Sequence, residues 1–164
     1  MQSSIAYVAV CDSLRKAGRI QRLEQLLYQL GSIATEEPID VSAFNTFLAA
    51  LCENIEDTSR LEHARDWLRP GVSRERLGGT DPDTSSYSTV LHAAASMGNN
   101  RIVDELWEEL TITRKLQPTI YAYNALLRSA KNRPDGNVQA LDVLDRLMKD
   151  VQPDRTRLTW YLYL

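Results

Sequence analysis

Four aromatic residues of this chain are each followed by a small or amide side chain. The four pairs are Tyr7-Val8, Phe44-Asn45, Tyr87-Ser88 and Tyr123-Asn124. An amide offers both a hydrogen-bond donor and an acceptor, so Asn45 and Asn124 can recognise a polar group of another molecule by direct pairing. Ser88 is also polar, whereas Val8 cannot form a side-chain hydrogen bond. The second residue of each pair is therefore a candidate for recognition, with Val8 as the exception.

The aromatic residues of these pairs recur at a regular distance. Successive ones are 37, 43 and 36 residues apart, and a degenerate echo at Leu158 follows 35 residues later. Such a period is typical of repeat arrays, in which each unit buries its apolar face only against its neighbours. The spacing therefore predicts four full units and a stub, instead of one compact core.

Each unit contains two stretches of apolar residues at helical spacing. In the first unit one stripe runs from Tyr7 to Leu14 and the other from Ile20 to Leu30. Gly18 lies between them and supplies the backbone freedom that a tight turn between helices needs. The predicted fold is all-α, an α-solenoid of stacked antiparallel helix pairs.

The predicted units cover residues 4–40, 41–83, 84–119 and 120–154 approximately, with a partial unit at 155–164. The second unit departs most from the pattern, because Pro70-Gly71 ends its second helix early. We predict a loop insertion at 70–82, which also contains Gly78-Gly79. Ser42 and Ser85 are the predicted N-caps of two first helices, each just after an aspartate that favours the positive end of the helix dipole.

Composition narrows the possible functions. The formal net charge is −3 and the sequence pI is about 5.4, which argues against strong non-specific attraction to nucleic acid. Cys11 and Cys52 fall on apolar helix faces, where a thiol behaves as a small buried hydrophobe. The sequence contains no metal-ligand spacing, phosphate-binding glycine loop or nucleophile motif, so we predict no cofactor, no metal, no small-molecule substrate and no enzyme. No apolar run is long enough to span a membrane.

Several short segments in register resemble the pentatricopeptide repeat. They are Arg15-Lys16-Ala17-Gly18-Arg19-Ile20, Phe44-Asn45-Thr46-Phe47-Leu48, Tyr123-Asn124-Ala125-Leu126-Leu127 and Gln152-Pro153-Asp154. The resemblance covers nearly the whole chain. The tetratricopeptide repeat is also a helix pair of similar length, but the asparagine after the aromatic residue and the closing aspartate favour the pentatricopeptide family.

The resemblance implies that the first helices line a groove in which single-stranded RNA is read one base per repeat. The base-reading residues would be an early side chain of each unit and the residue that closes it. These pairs are Val8 with Asp40, Asn45 with Asp83, Ser88 with Thr119 and Asn124 with Asp154. In this family an asparagine with a closing aspartate tends to select uracil, so two of the four pairs predict a preference for uridine.

The resemblance also implies contacts to the flat faces of bases and to phosphates. Ile5 and Tyr121 would lie between successive bases, where stacking on an aromatic ring contributes about 1–3 kcal/mol per base. Ser42 and Ser85 occupy the same place and offer little surface. Basic residues late in two first helices would contact phosphates, and they are Arg15, Lys16, Arg128 and Lys131.

Two other functions are compatible with the sequence. The first is a helical-repeat scaffold that binds protein, for instance a ribosome-associated subunit, which the acidic balance and Val8 favour. The second is the substrate-binding arm of an RNA-processing enzyme such as protein-only ribonuclease P, which would need a catalytic domain beyond Leu164. We expect the chain to be a fragment of a longer array. Localisation in a mitochondrion or plastid is implied by the family alone, since the N-terminus shows no transit segment.

Overall fold

The structure, a computed structural model, describes residues 2–33, 39–53, 57–131 and 133–150, with the side chains of residues 2–5 and 150 outside the description. The described residues form an all-α fold without a strand. The helices are α1 (Gln2–Lys16), α2 (Ile20–Ile33), α3 (Val41–Cys52), α4 (Thr58–Leu68), α5 (Val72–Arg76), α6 (Thr84–Ser96), α7 (Asn100–Glu108) with a π-helical extension (Glu109–Thr113), α8 (Ile120–Ala130) and α9 (Gly136–Asp150).

The helices stack as pairs, as the period predicts. The pairs are α1 with α2, α3 with α4, α6 with α7 and α8 with α9. Each of the first helices α1, α3 and α6 packs against the first helix of the following pair. Each of the second helices α2, α4 and α7 packs between its own first helix and the next one. The prediction of an all-α solenoid of helix pairs is confirmed.

The repeated aromatic residues form the centre of the packing. Phe44, Tyr87 and Tyr123 are fully buried, and Trp67 and Trp107 supply aromatic partners from the second helices. Burial of apolar surface is the main force that holds such pairs together. In these three units the aromatic residue of the recurring pair is therefore a core residue.

Glycine closes the turn in two of the pairs by the same backbone geometry. Gly18 and Gly98 have φ values of 65° and 69°, in the left-handed region where glycine has no steric penalty. The next residue donates back into the preceding helix in both cases, from Arg19 N to Leu14 O and from Asn99 N to Ala94 O. This pattern is the Schellman type of helix end.

Gly136 begins α9 at a point of close backbone approach. A Cβ atom added there would lie 2.1 Å from Ala130 O, which is backbone and cannot move aside alone. We expect Gly136→Ala to lower the free energy of unfolding by about 1–3 kcal/mol, because the α8–α9 turn must shift to relieve the overlap. Urea denaturation followed by circular dichroism would measure the change.

Gly18→Ala is the matched control, because its added Cβ would meet nothing within 4 Å and only the left-handed backbone is strained. We expect that variant to lose about 1–2 kcal/mol. An unfolding curve for Gly136→Ala that overlays that of the unsubstituted protein would show that the turn tolerates the extra atom.

The N-caps of the first helices differ from the prediction. Asp40, not Ser42, caps α3 and accepts a hydrogen bond from Ser42 N at 2.8 Å. Asp83, not Ser85, caps α6 through a capping box with Ser86. Both aspartates precede the predicted serines by two residues, and both residue types are good caps, so composition alone does not choose between them.

The segment predicted as a loop insertion contains the short helix α5 and is packed into the fold. Leu77 is fully buried, and Thr80 Oγ1 donates to Ile39 O at 2.5 Å. The Arg76 guanidinium lies over the Trp67 ring, 4.8 Å from its centre. The insertion therefore closes one side of the core.

Ion pairs join the second helices along the outer side of the stack. Arg101 pairs with Glu62, and Arg65 pairs with Glu105, so α4 and α7 are linked twice. Arg133, just before α9, reaches back to Asp104 on α7 at 2.6 Å. These contacts supplement the apolar packing of the inner helices.

Candidate functional site

An open groove of about 780 Å³ is lined by residues of all four first helices. Its lining includes Arg15 from α1, Cys52 from α3, His92 from α6 and Tyr121 from α8. A concave surface made by one helix of each pair is the binding surface that repeat proteins generally use. Of the predicted base-reading residues, Ser88 and Thr119 line this groove, whereas Asn45, Asp83 and Asn124 are not among its lining residues.

Asn45 and Asp83 meet directly, although they are 38 residues apart in the chain. Asn45 Nδ2 donates to Asp83 Oδ1 at 3.2 Å, and Ser86 Oγ donates to Asn45 Oδ1 at 2.6 Å. The side chain of Asp83 also accepts from Ser86 N at 2.9 Å. The capping of α6 thus holds the amide of α3 in a fixed orientation.

The amide of Asn45 keeps half of its hydrogen-bonding capacity. Of its two N–H bonds one points to Asp83, and of its two oxygen lone pairs one accepts from Ser86. One donor and one acceptor are left for a ligand. Uracil presents an N–H donor next to a carbonyl acceptor, which is the complementary pattern.

Ser88 and Thr119 form the second predicted pair, with their hydroxyl oxygens 2.9 Å apart. Ser88 Oγ donates to Thr84 O at 2.7 Å, so the shared proton belongs to Thr119. Thr119 Oγ1 in turn accepts from Ala122 N as the cap of α8. Both hydroxyl protons are used, and the pair offers only acceptors to a ligand in the groove.

The first and fourth units do not show a comparable pair. Val8 is half-buried and packs against the core, while Asp40 caps α3, so this unit presents no amide beside its closing aspartate. Asn124 is half-buried on α8, and Asp154 lies outside the described residues. Of the three predicted pairs that lie wholly within the described residues, the structure brings Asn45 with Asp83 and Ser88 with Thr119 into contact.

The predicted stacking residues are represented by Tyr121. Its ring is 60% exposed and lines the groove at the start of α8. Ser85 also lines the groove, whereas Ser42 is exposed elsewhere. The side chain of Ile5 is among those outside the description.

Two of the four predicted phosphate contacts are already paired with carboxylates. Arg15 lies between Asp12 at 2.8 Å and Glu53 at 3.0 Å, and Lys16 binds Asp12 at 2.6 Å. Hydrogen bonds from Lys16 and Arg15 lower the pKa of Asp12, so this carboxylate stays charged at neutral pH. The positive charge at this end of the groove is therefore compensated.

Arg128 and Lys131, at the end of α8, keep their charge available, although neither is among the residues that line the groove. Arg128 Nη1 donates to Ser96 Oγ at 2.7 Å, and Lys131 is exposed. Within the part of the chain that the structure describes, neither residue has a carboxylate partner. Of the four predicted cations, these two are the better placed to attract an anion.

Sequence reasoning missed His92 and Ser96 on α6, and Cys52 as a groove residue. The sequence contains a sign of this, because Ser85, His92 and Ser96 lie three, four and eight residues from Ser88 and therefore share one helix face with it. Burial and the nearby charge of Arg128 lower the pKa of His92, so its ring is neutral at pH 7. Burial raises the pKa of Cys52 to about 12, which keeps the thiol protonated.

No group of three or more histidine, cysteine or acidic side chains among the described residues is arranged to hold a metal ion. None of the described helices is both long and apolar enough to cross a membrane. No protein-family model matches the chain, and no curated protein shows significant similarity to it.

Proposed function

We propose that this chain binds single-stranded RNA along the groove of its first helices and discriminates between bases without catalysing a reaction. The contact between Asn45 and Asp83 carries the proposal. Asn45 and Asp83 are half-buried, and the amide keeps one donor and one acceptor that a base can take in place of water. The two residues stand near the start and at the end of the same predicted unit, 41–83, as the resemblance implies for such a pair.

The two contacting pairs have different preferences under this proposal. Asn45 presents a donor and an acceptor, which suits uridine. Ser88 and Thr119 present acceptors, which suit a base with an exocyclic amino group. Tyr121 supplies an exposed ring beside the second pair for stacking.

The electrostatic contribution to binding is small in this proposal. Arg128 and Lys131 would contact phosphates, while Arg15 and Lys16 are neutralised by their neighbours. Because phosphate contacts supply much of the affinity for nucleic acid, we expect weak binding with a shallow salt dependence. The ratio of the affinities for different bases would then be large although the affinity for each RNA is low.

The biological role we propose is in the processing, stability or translation of organellar transcripts, and it rests on the resemblance to pentatricopeptide proteins. The alternative is a protein-binding scaffold. The carboxylate partners of Arg15 and Lys16 and the overall charge of −3 favour that alternative. One RNA-binding experiment distinguishes these two functions.

Fluorescence anisotropy with oligo(U), oligo(A) and oligo(C) tests the proposal. We expect tighter binding to oligo(U), and we expect Asn45→Ala combined with Asn124→Ala to weaken that binding about three- to tenfold, because each amide loses one or two hydrogen bonds. Oligo(A) and oligo(C) should change less. Asn137→Ala, an exposed asparagine on α9, is the matched control and should change nothing.

Equal affinity for the three homopolymers, or no binding at low salt, would contradict RNA reading and favour the scaffold. A second arm tests the phosphate contacts. Arg128→Ala with Lys131→Ala should weaken binding to every oligonucleotide by a similar factor and reduce the salt dependence. A change confined to one base would contradict the assignment of these residues to phosphate.

A further inference from the structure

The face of α1 that later first helices bury is open. Tyr87 and Tyr123 are fully buried, whereas Tyr7 at the same repeat position is 41% exposed. Three residues further along the helix the contrast recurs, since Phe47 is fully buried and Val10 is 47% exposed. Among the described residues α1 packs against α2 and α3, and this face of it is left uncovered.

The contact between α7 and α8 shows what such a face normally packs on. Trp107 meets Tyr123 edge to face with ring centres 5.1 Å apart, and Asp104 pairs with Arg133 at 2.6 Å. On α7, Trp107 comes one residue after the buried Leu106, and Asp104 two residues before it. On α7, the side chains one residue after and two residues before Leu106 therefore face the next helix pair.

The last described helix, α9, exposes the same angular positions. Its buried residues are Val143 and Leu147. Met148 comes one residue after Leu147 and is 61% exposed, and Leu141 comes two residues before Val143 and is 66% exposed. Asp145 comes two residues before Leu147, as Asp104 does before Leu106. The outer face of α9 thus repeats the surface that α7 offers to α8.

The two open faces also match in charge. Arg133 lies in the α8–α9 turn and binds Asp104 of the preceding pair. The corresponding α1–α2 turn carries the exposed Arg19, and α9 carries the exposed Asp145. One end of the described array therefore has an apolar face with a cation, and the other end has an apolar face with an anion.

We propose that a second copy of this chain stacks head to tail on the first, with α1 of one copy packed against α9 of the next. Met148 would contact Tyr7, and Asp145 would pair with Arg19 of the next copy, as Trp107 and Asp104 do with Tyr123 and Arg133 inside the chain. The contact is heterologous, because the two faces differ, so chains of copies form unless a ring closes. The proposal does not depend on RNA binding.

Sedimentation velocity at increasing protein concentration tests the proposal without any ligand. We expect the average mass to rise beyond that of a dimer. Val10→Glu should block the α1 face and Leu141→Glu the α9 face, so each variant alone should be a monomer. Mixing the two should give a one-to-one dimer, because each variant keeps the face that the other lacks.

Ile112→Glu is the matched control, since Ile112 is 65% exposed and lies on neither α1 nor α9. It should associate like the unsubstituted chain. Asp145→Arg alone and Arg19→Asp alone should each associate more weakly, and mixing the two should restore association, because every contact between unlike copies then joins an arginine to an aspartate.

An unsubstituted chain that is monomeric at every concentration would overturn the proposal. The α1 and α9 faces would then need an occupant other than a second copy of the chain. Failure of the mixed variants to form a dimer would overturn it as well, because Val10→Glu keeps the α9 face and Leu141→Glu keeps the α1 face, and the proposed contact needs only these two.

Discussion

Replacing Trp67 by alanine is expected to lower the free energy of unfolding by about 3–5 kcal/mol, the largest stability loss of the single changes considered. The indole is fully buried. Its ring centre lies 5.2 Å from that of Phe47 and 5.3 Å from that of Tyr28, and Arg76 covers it from the insertion. The side chain therefore joins α2, α3, α4 and α5 at one point.

Urea denaturation followed by circular dichroism would measure this loss without relying on tryptophan fluorescence. Trp107→Ala is the matched control, because Trp107 is half-buried and its ring partner is Tyr123. We expect a smaller loss there. If the two variants lose equal stability, the second unit and its insertion do not depend on Trp67 in the way the packing implies.

Replacing Asp83 by alanine is expected to reduce both stability and base preference. The carboxylate caps α6 and also accepts the hydrogen bond from Asn45. Loss of the cap should cost about 1–2 kcal/mol of unfolding free energy. Loss of the anchor should free the amide to rotate, so the preference for oligo(U) should fall under the proposed function.

Asp40→Ala separates these two effects. Asp40 caps α3 through Ser42 N, but the residue at the reading position of its unit is Val8. We expect a similar loss of stability with an unchanged base preference. Thermal denaturation and anisotropy on the same samples would measure both quantities.

One outcome would argue against a role of the Asp83–Asn45 contact in base preference. If Asp40→Ala changes base preference as much as Asp83→Ala does, the effect follows from stability and not from the Asn45 contact. Asp83→Asn provides a further check, because asparagine caps a helix about as well as aspartate. That variant should keep most of the stability and still alter the contact to Asn45.

The period of the aromatic residues was sufficient to predict the helix pairs. Each first helix needs one large buried side chain at the same place, so Phe44, Tyr87 and Tyr123 recur with the unit. Glycine at the turn was predictable for a similar reason, because Gly18 takes a backbone conformation that other residues avoid. These features follow from local requirements that leave a mark on the sequence.

Other features depend on residues that are distant in the chain. Glu53 compensates Arg15 from the next unit, 38 residues away, and nothing in the local sequence of α1 shows this. The packing of the insertion depends on Leu77, whose neighbours Gly78 and Gly79 suggested an irregular loop. The proton of Thr119 is assigned only because Ser88 donates to Thr84. Tertiary contacts of this kind override what composition suggests.

The ion pairs between the second helices give the two sides of the array different responses to salt. Pairs such as Arg101 with Glu62 and Arg133 with Asp104 are partly exposed, so dissolved ions screen them. Among the described residues the first helices are joined by one such pair, Arg15 with Glu53, and otherwise mainly by apolar contacts, which persist at high salt. We expect high ionic strength to loosen the outer side while the inner side keeps its spacing. The curvature of the helix stack would then change with salt concentration, because only the second helices move apart. Small-angle X-ray scattering would measure this change as a shift in the radius of gyration.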